Sequence, residues 1–380
     1  MEQKPKTDYR KKLFIAMMIM LSLPLLQTVT HLFKEKSLRG VITVPENTNF
    51  SINNWLSASY QTKKEKYYHD SFGFRSLFVR INNQIKLSLF REVHAFGVVF
   101  GKKNYLFAEK YIKAWYGVDY IGTDSIAHRV ARLKYIQDEL SARYHKNLII
   151  AITAGKGSYY PEFFPASPTY PKGPTNYETY VRLAKDSALQ IIDFDRWFVE
   201  NKYKSPYPLY PKYGMHWSVY GATLVADSLI SCMESLRSID MPSISYDRVK
   251  IKKAFQDDYD LGDGLNLLFK LPREKMAYPV IKFEPEEGKI KPSVLVIADS
   301  FYWNLFKLGI TKAFSNSDFW YYNQEIFHGL GEPPGSTKQV DLWEQIQKHD
   351  VIILMATESN LPEFGWGFIE STYQLLKSKI

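Results

Sequence analysis

Ser293-Val294-Leu295-Val296-Ile297-Ala298-Asp299-Ser300-Phe301 is the stretch that decides the fold. A short, continuous apolar run bounded by polar residues reads as a strand buried on both faces, the signature of a parallel sheet covered by helices. The run ends in Asp-Ser, and Phe301 to Leu308 reads as a helix directly after the turn. Ser300 therefore sits where a strand gives way to a helix.

The same alternation recurs on either side. Thr123 to Tyr144 places Ile126, Val130, Leu133, Ile136 and Leu140 at helical spacing and leads into the apolar run Asn147 to Ile152. Tyr177 to Ser187 predicts a helix and Leu189 to Phe194 a strand. Ser218 to Ser235 predicts a helix, as does Leu342 to Lys348, and Val351 to Met355 predicts a strand. Strands alternating with helices predict an α/β fold: a parallel, flavodoxin-like sheet flanked by helices. In such sheets ligands bind at the carboxyl ends of the strands. The residues that follow strands carry most weight: Thr153–Lys156, Asp193–Asp195, Asp299–Ser300 and Thr357–Glu358. Gln61 to Arg91 has helical spacing throughout. Phe96 to Phe107 reads as a hairpin turning at Gly101-Lys102-Lys103-Asn104. Residues 158–176 and 242–292 are Pro-rich or charged excursions, read as loops or, at 242–292, a small subdomain.

Near the amino terminus, Leu13 to Val29 runs 17 residues without a charge. Extended to Phe33 it reaches the ~20 residues that cross hydrocarbon. Five cations (Lys4, Lys6, Arg10, Lys11, Lys12) against Glu2 and Asp8 give residues 1–12 a net +3. A cleaved signal peptide is the competing reading, but no small-x-small cleavage site follows. The segment predicts an uncleaved transmembrane anchor at 13–33 behind a cytoplasmic basic tail, 1–12. Residues 34–60 read as an extended connector and 61–380 as one extracytoplasmic domain at the inner membrane.

Length and composition bound the rest. With 380 residues, 45% of them hydrophobic, the chain can bury a large core. The formal charge is +9, yet no basic stripe with interleaved aromatics marks a nucleic-acid face. Such charge also suits an acidic polymer or an anionic membrane surface. Cys232 is the sole cysteine, so no internal disulfide forms. The eight histidines lack metal-ligand spacing, and no phosphate loop or dinucleotide fingerprint is present, so no metal or cofactor is expected. Aromatic loops such as Tyr159-Tyr160-Pro161 and Tyr207-Pro208-Leu209-Tyr210-Pro211 can stack on sugar rings or pack loops onto the sheet.

A serine beside the unpaired N–H groups of a helix start can be a nucleophile next to an oxyanion site, or simply a helix cap. His216, in Gly214-Met215-His216-Trp217-Ser218, is the candidate base that a serine hydroxyl needs at neutral pH, with Trp217 packed beside the imidazole.

Asp299-Ser300-Phe301 after an apolar strand, and His216-Trp217-Ser218 followed by Tyr220-Gly221-Ala222, resemble the alginate O-acetyltransferase group of the SGNH hydrolase-like superfamily, the DHHW-type proteins. The hairpin Val98 to Phe107 is similar to that family's V-x-G-K-x-x-W-L-F segment. The loop Thr153 to Pro165, with Lys156, Tyr160, Glu162 and Pro165, resembles its P-x-K-x-x-x-Y-x-E-x-x-P loop. Ile191-Ile192-Asp193, Leu261-Gly262-Asp263 and Val351 to Leu361 resemble further blocks in the same order. The resemblance implies an SGNH domain that transfers acetyl groups to a cell-surface polysaccharide, acidic or neutral, beside a membrane-bound O-acyltransferase that supplies the acyl group. It assigns Ser300 as nucleophile and His216 as base, with Lys156, Tyr160, Trp217 and Asp299 as candidate substrate contacts.

One departure bears on mechanism. Where the family writes Asp-x-His-Trp, this chain has Gly214. Either a backbone carbonyl or another carboxylate, with Asp193, Asp195 and Glu358 as candidates, holds the ring. Alternatively the site runs as a Ser-His dyad, or the protein is a catalytically impaired relative that binds glycan or scaffolds its membrane partner. A carbohydrate O-acetylesterase would use the same residues.

Overall fold

The computed structural model describes residues 9–40, 47–167, 170–283 and 287–379. Part of the basic tail (residues 1–8), part of the connector (41–46) and three positions of the 242–292 excursion (284–286) lie outside the described residues. The chain divides into two compact units. One runs up to Ala95 and includes Gly262–Leu271; the other comprises Phe96–Leu261 and Pro272 onward.

The larger unit is mixed α/β. Its strands are β1 (Val98–Phe100), β2 (Leu106–Ala108), β3 (Asn147–Thr153), β4 (Ile191–Asp193), β5 (Ile244–Lys253), β6 (Lys275–Phe283), β7 (Ser293–Ala298), β8 (Asn316–Tyr321), β9 (Glu325–Phe327), β10 (Gly335–Ser336) and β11 (Val351–Thr357). Seven of them form the central sheet in the order β10-β9-β8-β7-β11-β3-β4. The five from β8 to β4 are parallel, and β9 and β10 close one edge antiparallel. The parallel flavodoxin-like sheet expected from sequence is thus present, with an antiparallel edge added.

Alternation along the strands divides the core into two layers. Val294, Val296 and Ala298 of β7 and Ile353 and Met355 of β11 face one layer, beneath the helices Val219–Arg237 and Tyr302–Leu308. Leu295, Ile297, Ile352 and Leu354 face the other, beneath Thr123–Tyr144, Asn176–Asp186 and Phe368–Lys377. Both faces are covered, which is why these strands read as unbroken apolar runs.

Two regions differ from expectation. The strand β8 is not apparent in sequence because Asp318 interrupts its apolar run. That carboxylate is 1% exposed and is met by His328 Nδ1 at 2.7 Å, Lys348 Nζ at 2.9 Å and His349 Nε2 at 3.2 Å. Burial alone would raise its pKa; the hydrogen bonds from His349, Lys348 and His328 overcome that and hold it well below the usual carboxylate range. The excursion 242–292 is built around a long antiparallel ribbon, β5 with β6, joined through a short helical stretch at Gln256–Tyr259.

In the smaller unit an apolar helix, Tyr9–Thr30, is long and apolar enough to cross a membrane. The connector is not wholly extended, since Ile52–Leu56 is helical. The helical pattern at 61–91 breaks into Ser59–Ser71, Arg75–Ile85 and a π-helical turn, Lys86–Phe90. The break falls at Gly73 and at Phe74, whose φ of +62° ends one helix before the next begins.

Candidate active site

Ser300 stands just beyond the carboxyl end of β7, in the middle of the sheet. The turn that carries it is fixed by Asp299, which is fully buried. Its Oδ2 accepts from the Thr357 N–H at 2.8 Å, the Thr357 hydroxyl at 2.9 Å and Asn360 Nδ2 at 2.7 Å, while Oδ1 accepts from the Phe301 N–H at 3.0 Å. A carboxylate holding four donors locks the elbow to the end of the neighbouring strand β11.

His216 comes from the loop before the helix Val219–Arg237. Ser218 caps that helix, accepting from the Gly221 N–H at 3.0 Å, and donates to the Pro208 carbonyl at 2.8 Å. Phe301 packs on the imidazole, ring centroids 4.9 Å apart, and edge-on to Trp217. So held, His216 Nε2 lies 3.0 Å from Ser300 Oγ.

The other ring nitrogen, Nδ1, lies 2.9 Å from Asp260 Oδ2. Asp260 Oδ1 in turn accepts the N–H groups of Met215 at 2.7 Å and Leu261 at 2.6 Å. A carboxylate at Nδ1 favours the tautomer with its proton there, leaving the Nε2 lone pair to accept the serine hydroxyl. Asp260, His216 and Ser300 form an unbroken hydrogen-bonded chain.

Asp260 corrects the sequence expectation, which offered Asp193, Asp195 and Glu358 for this role. Asp193 caps the helix Phe194–Asn201 through the Arg196 N–H and accepts the Tyr177 hydroxyl. Asp195 and Glu358 are buried neighbours that line a separate cavity of about 200 Å³ with Ser158 and Lys172. Burial, with the charge of Asp193 added, pushes the Asp195 carboxyl up to about 7. Burial, then the charge of Asp195, raises that of Glu358. Glu358 accepts the Gly155 N–H.

Gly214 explains where the acid went. A Cβ at this position would stand 2.5 Å from Pro211 Cγ, 2.6 Å from the Asp257 carbonyl oxygen and 3.0 Å from Asp258 C. The backbone of 257–258 fills the space an aspartate side chain would need, and two residues later the same segment delivers Asp260. The sequence does carry a signal: the acidic run Asp257-Asp258-Tyr259-Asp260 abuts Leu261-Gly262-Asp263, a block already aligned with the family.

Three of the four candidate substrate contacts are buried and support the site from behind. Asp299 holds the elbow, Trp217 is fully buried against Phe198 and Phe301, and Lys156 is fully buried under the histidine loop. Lys156 Nζ donates to the carbonyls of Lys212 at 2.7 Å and Gly214 at 2.9 Å. Burial lowers its pKa to about 7 against the opposing pull of Asp260 and Glu274. Tyr160 is half-buried, its hydroxyl 3.4 Å from the Tyr210 carbonyl.

Tyr322 is a neighbour that sequence reading missed. It follows β8 with φ +49°, an uncommon conformation for a bulky residue, and lies beside Ser300. Burial, then the charge of Asp299, raise its pKa against the lowering influence of Ser300, so the group stays a neutral hydroxyl able to donate. The helix start offers less than expected as an oxyanion site, because the Phe301 N–H is taken by Asp299. Among the described residues no group of three His, Cys, Asp or Glu is placed to hold a metal ion.

Residues 98–275 match the family described as SGNH hydrolase-like domain, acetyltransferase AlgX. Over these residues the chain is similar to an SGNH hydrolase-like domain. The resemblance read from sequence is borne out, and the matched segment includes His216 and Asp260. Among solved structures, the O-acetyltransferase domain of Pseudomonas putida AlgJ is similar at 16% identity over 73% of this chain and 99% of that one, with a TM-score of 0.48. Bacillus cereus PatB1 with a sulfonyl adduct gives 12% identity, 70% and 97% coverage and a TM-score of 0.44. Pseudomonas aeruginosa AlgX gives 14%, 70% and 67%, also with a TM-score of 0.44. No curated protein sequence matches the chain.

Proposed function

We propose that this SGNH domain is a membrane-anchored, extracytoplasmic O-acetyltransferase that acylates a surface polysaccharide. The observation that carries the proposal is the Asp260–His216–Ser300 chain, closed at 2.9 and 3.0 Å. Ser300 Oγ attacks the carbonyl carbon of an acyl donor while His216 Nε2 takes its proton. The tetrahedral intermediate collapses, His216 returns the proton to the departing group, and an acetyl ester remains on Ser300. A sugar hydroxyl then gives its proton to His216 and attacks that ester, and Ser300 leaves with the proton. Asp260 stabilises the imidazolium in both halves. The Tyr322 hydroxyl, kept neutral by burial, is the donor proposed for the carbonyl oxygen as negative charge builds on it.

The resemblance supplies the substrate class and the partner, a membrane-bound O-acyltransferase that passes acyl groups across the bilayer. The basic amino end and the helix Tyr9–Thr30 support attachment with the domain outside. A catalytically impaired relative is the alternative suggested by Gly214; the Asp260 carboxylate beside His216 Nδ1 supports the active reading over it. Esterase activity shares every residue and differs only in the acceptor.

Full-length protein given p-nitrophenyl acetate should release p-nitrophenol and carry one acetyl group on Ser300 by peptide mass spectrometry. Added oligosaccharide should draw that acetyl onto sugar. Release solely as acetate in the presence of acceptor would replace the transferase reading with the esterase, and an absence of acetyl-Ser300 would remove both.

A further inference from the structure

The helix Arg75–Ile85 and the turn Lys86–Phe90 that continues it have inverted polarity. Toward the protein, Asn83 is buried and donates to the Leu265 carbonyl at 2.9 Å, and Gln84 accepts the Phe269 N–H at 3.0 Å. Toward the outside stand Leu77, Phe78, Ile85, Leu89 and Phe90, the last two 72% and 60% exposed. Phe78, Ile85 and Leu89 fall on one stripe, at helical intervals of seven and four. A helix facing water turns its polar side outward; this one does the reverse.

Its position is fixed by the apolar helix Tyr9–Thr30. The Gly73 N–H donates to Thr28 Oγ1 at 2.7 Å, and a Cβ on Gly73 would stand 2.5 Å from the Pro24 carbonyl oxygen, so the backbones touch. The Phe33 and Phe74 rings lie 5.8 Å apart. Glu35 accepts the Phe74 N–H and the Ser76 hydroxyl, each at 2.6 Å. The outward apolar stripe therefore begins beside the carboxyl end of the apolar helix. Residues 72–91 carry Arg75, Arg80, Lys86 and Arg91; Arg75 pairs with Asp70 at 3.1 Å and Lys86 with Glu92 at 3.7 Å.

We infer that residues 75–90 lie in the plane of the bilayer surface, with the Leu77, Phe78, Ile85, Leu89 and Phe90 face sunk at the boundary of headgroups and acyl chains. The inference rests on the reading that Tyr9–Thr30 spans the membrane. Its exit near Thr30–Phe33 then lies at headgroup level, and the bonds to Thr28 and Glu35 hold the start of the second helix at the same depth. An apolar face flanked by basic residues is what suits an interfacial helix on anionic lipid.

The test uses the full chain with Cys232→Ser, carrying a single NBD-labelled cysteine and reconstituted into phosphatidylethanolamine–phosphatidylglycerol vesicles. The labelled variants are Phe78→Cys, Leu89→Cys, Leu21→Cys in the apolar helix and Glu332→Cys on the other unit. Labels at 78 and 89 should emit to the blue of the label at 332 and lose most of their fluorescence to lipids with doxyl high on the acyl chain. The label at 21 should be quenched by deep doxyl lipids, and the label at 332 by neither. If 21 is quenched but 78 and 89 behave like 332, the interfacial helix is wrong and the anchor stands. If 21 is not quenched, the anchor reading fails and this inference with it. A blue shift at 78 and 89 without lipid quenching would mean that a second copy covers the face, which also overturns it.

Discussion

Ser300 and Asp260 are the two ends of one hydrogen-bonded chain, yet they are supplied by very different parts of the molecule. Ser300 grows out of the most buried strand pair in the sheet, and its elbow is pinned by a fully buried aspartate with four donors. Asp260 comes from the link between the ribbon strands β5 and β6, is itself partly exposed, and is held by two backbone N–H groups. The sheet fixes Ser300 as a by-product of folding, whereas Asp260 depends on how an excursion packs over the histidine loop.

Predictions follow the same division. Ser300→Ala and His216→Ala should each lower acetyl-enzyme formation by about 10³-fold or more, with thermal unfolding unchanged. Wild-type rates in either variant would remove the proposed chemistry. Asp260→Asn should cost on the order of 10³-fold in turnover, because the amide can no longer stabilise the imidazolium. Tyr322→Phe should cost about 10²-fold, in turnover more than in KM, if its hydroxyl serves the oxyanion. A loss confined to KM would make it a substrate contact.

Two further substitutions probe the supports of the histidine loop. Gly214→Ala should destabilise the fold by about 1–3 kcal/mol in denaturant unfolding, since the new methyl meets Pro211 and the 257–258 backbone. A neutral result would show that the excursion yields easily. Lys156 has a folded pKa of about 7 against an ordinary value of 10.5, so the unfolded chain binds more protons between those limits. Its contribution must therefore make the protein more stable as pH rises from about 7 toward 10.5, with the full penalty present below that window. Unfolding at pH 7.5 and 9.5 should show a smaller gain for Lys156→Met than for wild type, the difference being at most about 1.4 kcal/mol per pH unit. Identical gains would mean that Lys156 stays charged in the folded state.

The division between the two ends also decided what the sequence revealed. Strands β3, β7 and β11 are buried on both faces, so burial writes itself as an apolar run, and Ser300 at the end of one of them is conspicuous. The strand β8 was hidden by Asp318, whose cost of burial is met by partners distant in sequence, His349 and Lys348. The ribbon β5–β6 was hidden because nearly every residue of β5 is exposed and half of them are charged, so no buried run marks the strand. Asp260 lies 44 residues from His216, and no local pattern records which carboxylate a folded ribbon will present to an imidazole. Gly214 was read as the loss of an acid, whereas it is the space through which its replacement enters.

The most direct test of the central claim compares Asp260→Asn with Asp193→Asn in the full-length protein, measuring single-turnover acetylation of Ser300. The account predicts a loss on the order of 10³-fold for Asp260→Asn and a near wild-type rate for Asp193→Asn. An unimpaired Asp260→Asn, or an equal loss in both, would contradict it.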